Sequence, residues 1–136
     1  MSYRICFFCL RPEELQQLQD AMLQLDLQPG PGGSRGSDAA ATLRLCAPIL
    51  QPYFPSPSQM RVFALYPSSQ IVAHTDPPIE GARYHIPLQS NDGCWCLHGE
   101  LWQRLKIGSI YQMDPTVVHG AVNWGTTVRL HLTIDA

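Results

Sequence analysis

Three side chains of this sequence could hold a metal ion. In Ile71-Val72-Ala73-His74-Thr75-Asp76 the alternation of a strand puts His74 and Asp76 on one face, because side chains repeat every two residues. His119 follows 45 residues after His74, in Thr116-Val117-Val118-His119-Gly120. A barrel could set it opposite the pair. Two imidazoles and a carboxylate on one face of an octahedral ion leave three positions open, the arrangement that lets non-haem Fe(II) hold a cosubstrate and O2. The tripeptide alone reads more readily as a surface or hydrogen-bonded pair at a strand end. Arg129, ten positions beyond His119, adds a second requirement. In Val128-Arg129-Leu130-His131-Leu132-Thr133-Ile134 the apolar residues form one face and Arg129, His131 and Thr133 the other. A guanidinium turned into a barrel needs an anion, and no acidic residue shares its face. The planar fork suits a carboxylate, so a dicarboxylate cosubstrate would supply the missing charge. Arg83 and His85, in Ala82-Arg83-Tyr84-His85-Ile86-Pro87-Leu88, share another strand face and offer a second carboxylate or polar-ligand site.

These residues need strands to position them. Turn residues at Pro67-Ser68, Pro77-Pro78, Asn91-Asp92-Gly93, His98-Gly99 and Trp124-Gly125 punctuate the second half of the chain. Strands are expected near residues 60–66, 70–76, 82–88, 93–97, 100–104, 108–113, 117–122 and 127–134. Eight short strands in that span predict a mainly β fold, a jelly-roll or cupin-like double-stranded β-helix. Ahead of them, residues 3–9 suit one strand. A helix is expected over 13–26, with Pro12 in its first turn, Leu15, Leu18, Met22 and Leu25 on one face, and Pro29-Gly30 ending it. Residues 28–38, QPGPGGSRGS and its neighbour, read as a linker or mobile lid, and the stretch containing Pro48, Pro52, Pro55 and Pro57 as irregular. The expected organisation is a single domain over 1–136, with 1–59 as bracing strand, helix and lid and 60–136 as the barrel.

Composition narrows the function. The chain has 136 residues, 45% of them hydrophobic and 15% charged, so it buries one core. A net charge of -2 supplies no field for general nucleic-acid binding. No apolar run approaches a membrane span and the N-terminus lacks a signal-peptide layout, so a soluble, cytoplasmic protein is expected. Five cysteines suit a reducing compartment better than a disulfide framework. Cys6, Cys9, Cys94 and Cys96 could alternatively hold zinc, although Cys94-Trp95-Cys96 reads as a strand with buried thiols. His98 reads as a solvent-facing turn residue. His131 either lines a cosubstrate pocket or satisfies an interior hydrogen bond. Trp95, Trp102 and Trp124 read as core, with a substrate mouth as the alternative. A homodimer would be one way to cover the sheet edges.

Taken in order, His74-Thr75-Asp76, Arg83-Tyr84-His85-Ile86-Pro87-Leu88, Met113-Asp114, His119, Asn123, Arg129-Leu130-His131-Leu132 and Asp135 resemble the Fe(II)- and 2-oxoglutarate-dependent dioxygenases. The likeness, over about residues 60–136, is to the aspartyl/asparaginyl β-hydroxylase branch that includes bacterial proline hydroxylases. It implies Fe(II) on His74, Asp76 and His119, with 2-oxoglutarate and O2 as cosubstrates. It further implies Arg129 on the distal carboxylate of 2-oxoglutarate and Arg83 with His85 near the proximal carboxylate or the substrate. Asn123 would orient a ligand by its amide, or else serve as a turn residue before Trp124-Gly125. Some members have Gly in place of Asp76, so the full triad looks like the proline-hydroxylase version. The sequence stops one residue after Asp135, without the C-terminal helical extension that gives longer relatives substrate contacts, so the resemblance says little about the substrate. The implied activity is hydroxylation of an unactivated C–H bond in a free amino acid or in an amino-acid side chain of a peptide or protein. Two other readings stay open, a cupin-like metal or ligand-binding module and a cupin-type metal enzyme that does not use 2-oxoglutarate.

Overall fold

A computed structural model describes residues 4–30 and 32–136, with side chains from Phe8 onward. The chain opens with strand β1 (Arg4–Cys9) and helix α1 (Pro12–Met22). Pro12 occupies the first helical turn, and the Arg11 backbone N–H donates to Glu14 Oε1 at 2.9 Å, satisfying one of the donors that a helix start leaves open. The helix stops at Met22, earlier than expected. Leu25 still packs on the core, from the turn that follows. The segment read as a linker or lid contains two short strands. Strands β2 (Leu27–Pro29) and β3 (Ser34–Ser37) form a hairpin, and β3 pairs with β4 (Gln59–Leu65).

The stretch read as irregular contains a second helix, α2 (Ala39–Leu50). Asp38 caps it by accepting the Ala41 N–H at 2.9 Å, and three successive alanines favour the helical backbone. Pro48 lies close to the C-terminus, where its missing N–H removes only one intrahelical bond.

The remaining strands are β5 (Ser69–His74), β6 (Arg83–Gln89), β7 (Cys94–His98), β8 (Leu101–Gln103), β9 (Ser109–Met113), β10 (His119–Asn123) and β11 (Arg129–Asp135). All eight strands expected after residue 59 are present, each within about two residues of its expected bounds. They build a seven-stranded sheet, order β1-β9-β6-β11-β4-β3-β2, and a four-stranded sheet, order β5-β10-β7-β8. The fold is a double-stranded β-helix.

Alternation on β11 works as the sequence indicated. Leu132 and Ile134 join Met60, Val62, Ile86 and Leu88 on the outer face of the large sheet, where Leu18 and Ala21 of α1 and Cys46 and Leu50 of α2 cover them. Each such aliphatic side chain contributes about 1.5–3 kcal/mol by leaving water. A smaller cluster of Leu65, Cys96, Leu105, Tyr111, Met113 and Ala121 packs away from the helices. Arg129, His131 and Thr133 are therefore turned inward, away from the helices. Among the described residues no helix is long and apolar enough to cross a membrane.

Candidate metal and cosubstrate site

The two imidazoles are placed by strand pairing. In the antiparallel pair of β5 and β10, His74 lies opposite His119, and the two ring centroids are 4.4 Å apart. The residue after His119 has to be small, because a Cβ at Gly120 would stand 2.8 Å from the Ile71 carbonyl oxygen. Asp76 follows the end of β5. Its backbone N–H donates to Pro115 O at 2.8 Å, tying the end of β5 to the turn before β10.

One nitrogen of each ring is already used. His74 Nδ1 is 2.7 Å from Val72 O and His119 Nδ1 is 2.7 Å from Val117 O, so each Nδ1 donates its proton to a carbonyl and Nε2 is the nitrogen turned towards Asp76. Such second partners fix the tautomer and orientation of metal-binding histidines. The Nε2 atoms converge on Asp76, 3.7 Å from Oδ1 for His74 and at hydrogen-bond distance, 3.1 Å, from Oδ2 for His119. One ligand atom from each of the three residues lies within 4.8 Å of the others, the spacing one ion would bridge. The donor set, two imidazole nitrogens and one carboxylate oxygen, fits Fe(II).

A cavity of about 500 Å³ is lined by the triad and by Arg83, His85, Arg129, His131 and Thr133. Arg129 is 4% exposed, and its Nε has no hydrogen-bond partner. Its Nη1 has the Cys96 thiol at 3.9 Å, a weak acceptor. A buried cation in this state calls for an anion. Thr133 Oγ1 and His131 Nδ1 are also buried without a partner. A dicarboxylate fits these groups, with one carboxylate for the guanidinium. The neighbouring imidazoles are neutral: burial, and then the charge of Arg129, pushes His85 down to about 3 and His131 well below its ordinary value.

Arg83 is occupied in a different way from that expected. It lines the cavity, but its Nε and Nη2 donate to Asp135 at 2.8 and 3.0 Å, leaving Nη1 3.7 Å from Asp76. Its fork is filled from within the chain. Asn123 lies away from the cavity. It is fully buried, with Nδ2 donating to Leu65 O and Thr127 O at 2.8 and 2.9 Å and Oδ1 accepting from Gly125 N–H at 3.1 Å. The amide closes the loop from β10 to β11, a structural role.

Other expectations change as well. His98 is buried rather than solvent-facing, with Nε2 3.2 Å from the backbone N of Asp114. Trp102 and Trp124 are exposed rather than core, and Trp95 stacks beneath Arg104 at 4.5 Å. Cys94 and Cys96 are buried thiols of β7, and Cys9 is exposed near Ser109; the Cys6 side chain lies outside the described residues. The motifs singled out in the sequence leave out one arginine, Arg61, which lines a neighbouring cavity beside Asp76 and Thr133. Arg61 was legible: in Gln59-Met60-Arg61-Val62-Phe63-Ala64-Leu65, the outward Met60, Val62 and Ala64 turn Arg61 inward.

A double-stranded β-helix carrying a two-histidine, one-carboxylate triad beside a buried arginine defines the class of 2-oxoglutarate-dependent, Fe(II)-binding oxygenases. The sequence profile described as Aspartyl/Asparaginyl beta-hydroxylase matches residues 34–136, and the chain belongs to that family. The match reaches back to β3, further than residue 60. The protein is accordingly an enzyme, a 2-oxoglutarate-dependent dioxygenase with Fe(II) as its metal.

Solved structures share the fold. The viral collagen prolyl hydroxylase vCPH from Paramecium Bursaria Chlorella virus-1, solved as a 2-oxoglutarate complex, superposes with a TM-score of 0.70 at 11% identity, over 99% of this chain and 95% of that one. HygX from Streptomyces hygroscopicus, solved with nickel, 2-oxoglutarate and hygromycin B, gives 0.66 at 11% identity over 97% and 81%. An oxidoreductase of the 2OG-Fe(II) oxygenase family from Burkholderia pseudomallei gives 0.69 at 11% identity over 91% and 77%. At such identity these likenesses carry the fold alone. No curated protein matches the sequence.

Proposed function

We propose that this protein hydroxylates an unactivated C–H bond of a free amino acid or of an amino-acid side chain in a peptide or protein. The observation that carries the reading is the buried guanidinium of Arg129, with no carboxylate partner among the described residues and its Nε unpaired, in the same cavity as the triad. A module that only binds metal has no use for both. His74, Asp76 and His119 would hold Fe(II), and Arg129 the distal carboxylate of 2-oxoglutarate. Together with O2, these groups supply the oxidation that puts one oxygen atom into the C–H bond and releases succinate and CO2.

The chain's own share is positioning. Val72 O and Val117 O hold the rings with Nε2 inward. Arg129 fixes one end of the cosubstrate, while the neutral His85 and His131 and the hydroxyl of Thr133 line the pocket without adding charge. The four described cysteines are free thiols, which supports a reducing, cytoplasmic setting.

Anaerobic addition of Fe(II) and 2-oxoglutarate should give a visible metal-to-ligand charge-transfer band that His74→Ala removes. If wild type and variant are indistinguishable, the oxygenase reading fails. Succinate release separates a cupin-type metal enzyme, which would not need the arginine, from an oxygenase, in which Arg129→Ala stops it.

A further inference from the structure

A second cavity, of about 390 Å³, opens on the other side of the metal-binding carboxylate. It shares Phe63, Asp76, Arg83 and Thr133 with the first but includes Arg61 and excludes Arg129 and His119. The two arginines that line it differ. Arg83 is neutralised by Asp135 at 2.8 and 3.0 Å. The Arg61 side chain makes no hydrogen bond or ion pair among the described residues, and its Nε is buried. Across the pairing of β4 and β11 it stands opposite Thr133, whose Oγ1 is also buried without a partner. Gly36 of β3 leaves room for this arrangement: a Cβ there would sit 3.3 Å from the Phe63 ring and 3.9 Å from Arg61 Cδ.

A guanidinium and a hydroxyl, both unpaired on one wall of a cavity, suit a carboxylate that accepts from both. We propose that Arg61 and Thr133 bind a carboxylate of the substrate, separate from the 2-oxoglutarate carboxylate assigned to Arg129. The inference rests on the oxygenase reading and narrows its substrate to one that carries a carboxylate. The carboxylate comes either from the α-carboxyl of a free amino acid or from an acidic side chain within a peptide.

The test uses the full chain loaded with Zn(II) and 2-oxoglutarate, and follows the Arg61 Nε–H resonance by NMR, assigned by its loss in Arg61→Gln. The probes are L-leucine against leucinamide for the α-carboxyl source, and N-acetylated aspartate and glutamate amides against their asparagine and glutamine counterparts for the side-chain source. In one arm the carboxylate should shift the resonance saturably and bind at least about tenfold more tightly than its amide, the range of one charge-assisted hydrogen bond. Arg61→Gln should abolish that preference, Arg61→Lys should retain part of it, and 2-oxoglutarate affinity should stay within about twofold in both. No carboxylate preference in either arm, or loss of 2-oxoglutarate binding in Arg61→Gln, overturns the inference and leaves the oxygenase reading standing. Failure of wild type to bind 2-oxoglutarate overturns both.

Discussion

Arg83 and Asp135 face each other across β6 and β11 as a two-point ion pair, with Nε 2.8 Å from Oδ1 and Nη2 3.0 Å from Oδ2. The side chains are only 21% and 12% exposed, so each charge depends on the other. Asp135→Asn should cost about 2 kcal/mol in urea unfolding, because a half-buried guanidinium loses its counter-charge. In an Arg83→Met background the same substitution should cost much less. A double-mutant cycle with a coupling near zero would show the pair to be incidental.

Arg129 predicts the opposite pattern. Without ligand it is a buried cation with a thiol as its nearest acceptor, so replacing it by Met should leave apo stability unchanged or raise it. The same variant should bind 2-oxoglutarate at least about 100-fold more weakly, the loss expected for a two-point charged contact. Thermal unfolding with and without 2-oxoglutarate reads both effects: the ligand-induced rise in Tm should vanish while the apo Tm does not fall. A large drop in apo Tm would mean that Arg129 serves packing.

The strands that place Arg129 and His119 could be read in the sequence because each is short, alternating and bounded by turn residues. Helix α2 was not legible in the same way. Pro48 and the prolines after it masked a capped alanine-rich segment whose amphipathic face is recognisable only against Val62 and Met60. The ligand types were legible from local spacing, whereas partner choice was not. That Arg83 spends its fork on Asp135, and that Asn123 gives its amide to Leu65, follows from residues tens of positions apart meeting in the fold. Arg61 lay within reach of the same alternation argument that found Arg129, but no ligand-type neighbour drew attention to it.

The cavity histidines should make stability depend on pH. Burial lowers His85 from 6.5 to about 3 in the folded chain and moves His131 in the same direction, so the folded state favours neutral rings while the unfolded chain protonates below about 6.5. The stability they contribute is thus complete above pH 6.5 and is lost progressively as pH falls from there towards about 3. Each ring contributes a slope of up to about 1.4 kcal/mol per pH unit once its unfolded form is fully protonated. Urea midpoints of the apo protein between about pH 7 and 5.5, above most carboxylate titration, should decline with falling pH, and His131→Gln should flatten the decline. An unchanged slope would mean that His131 does not titrate differently in the two states.

Asn123 separates a structural role from a cosubstrate role. Its Nδ2 donates to two carbonyls, Leu65 O and Thr127 O, and its Oδ1 accepts from Gly125 N–H, all in a fully buried setting. Removing the amide in Asn123→Ala strands those partners and should cost about 2–3 kcal/mol. Asn123→Asp should cost more, because the donor facing two carbonyls becomes a carboxylate oxygen and repels them. Neither change reaches the cavity that holds Arg129, so the folded fraction of Asn123→Ala should bind 2-oxoglutarate within about twofold of wild type at a temperature below its Tm. A folded Asn123→Ala with tenfold weaker 2-oxoglutarate binding and unchanged stability would restore Asn123 to the cosubstrate site; the packing of the β10–β11 loop against Leu65 argues for the reverse.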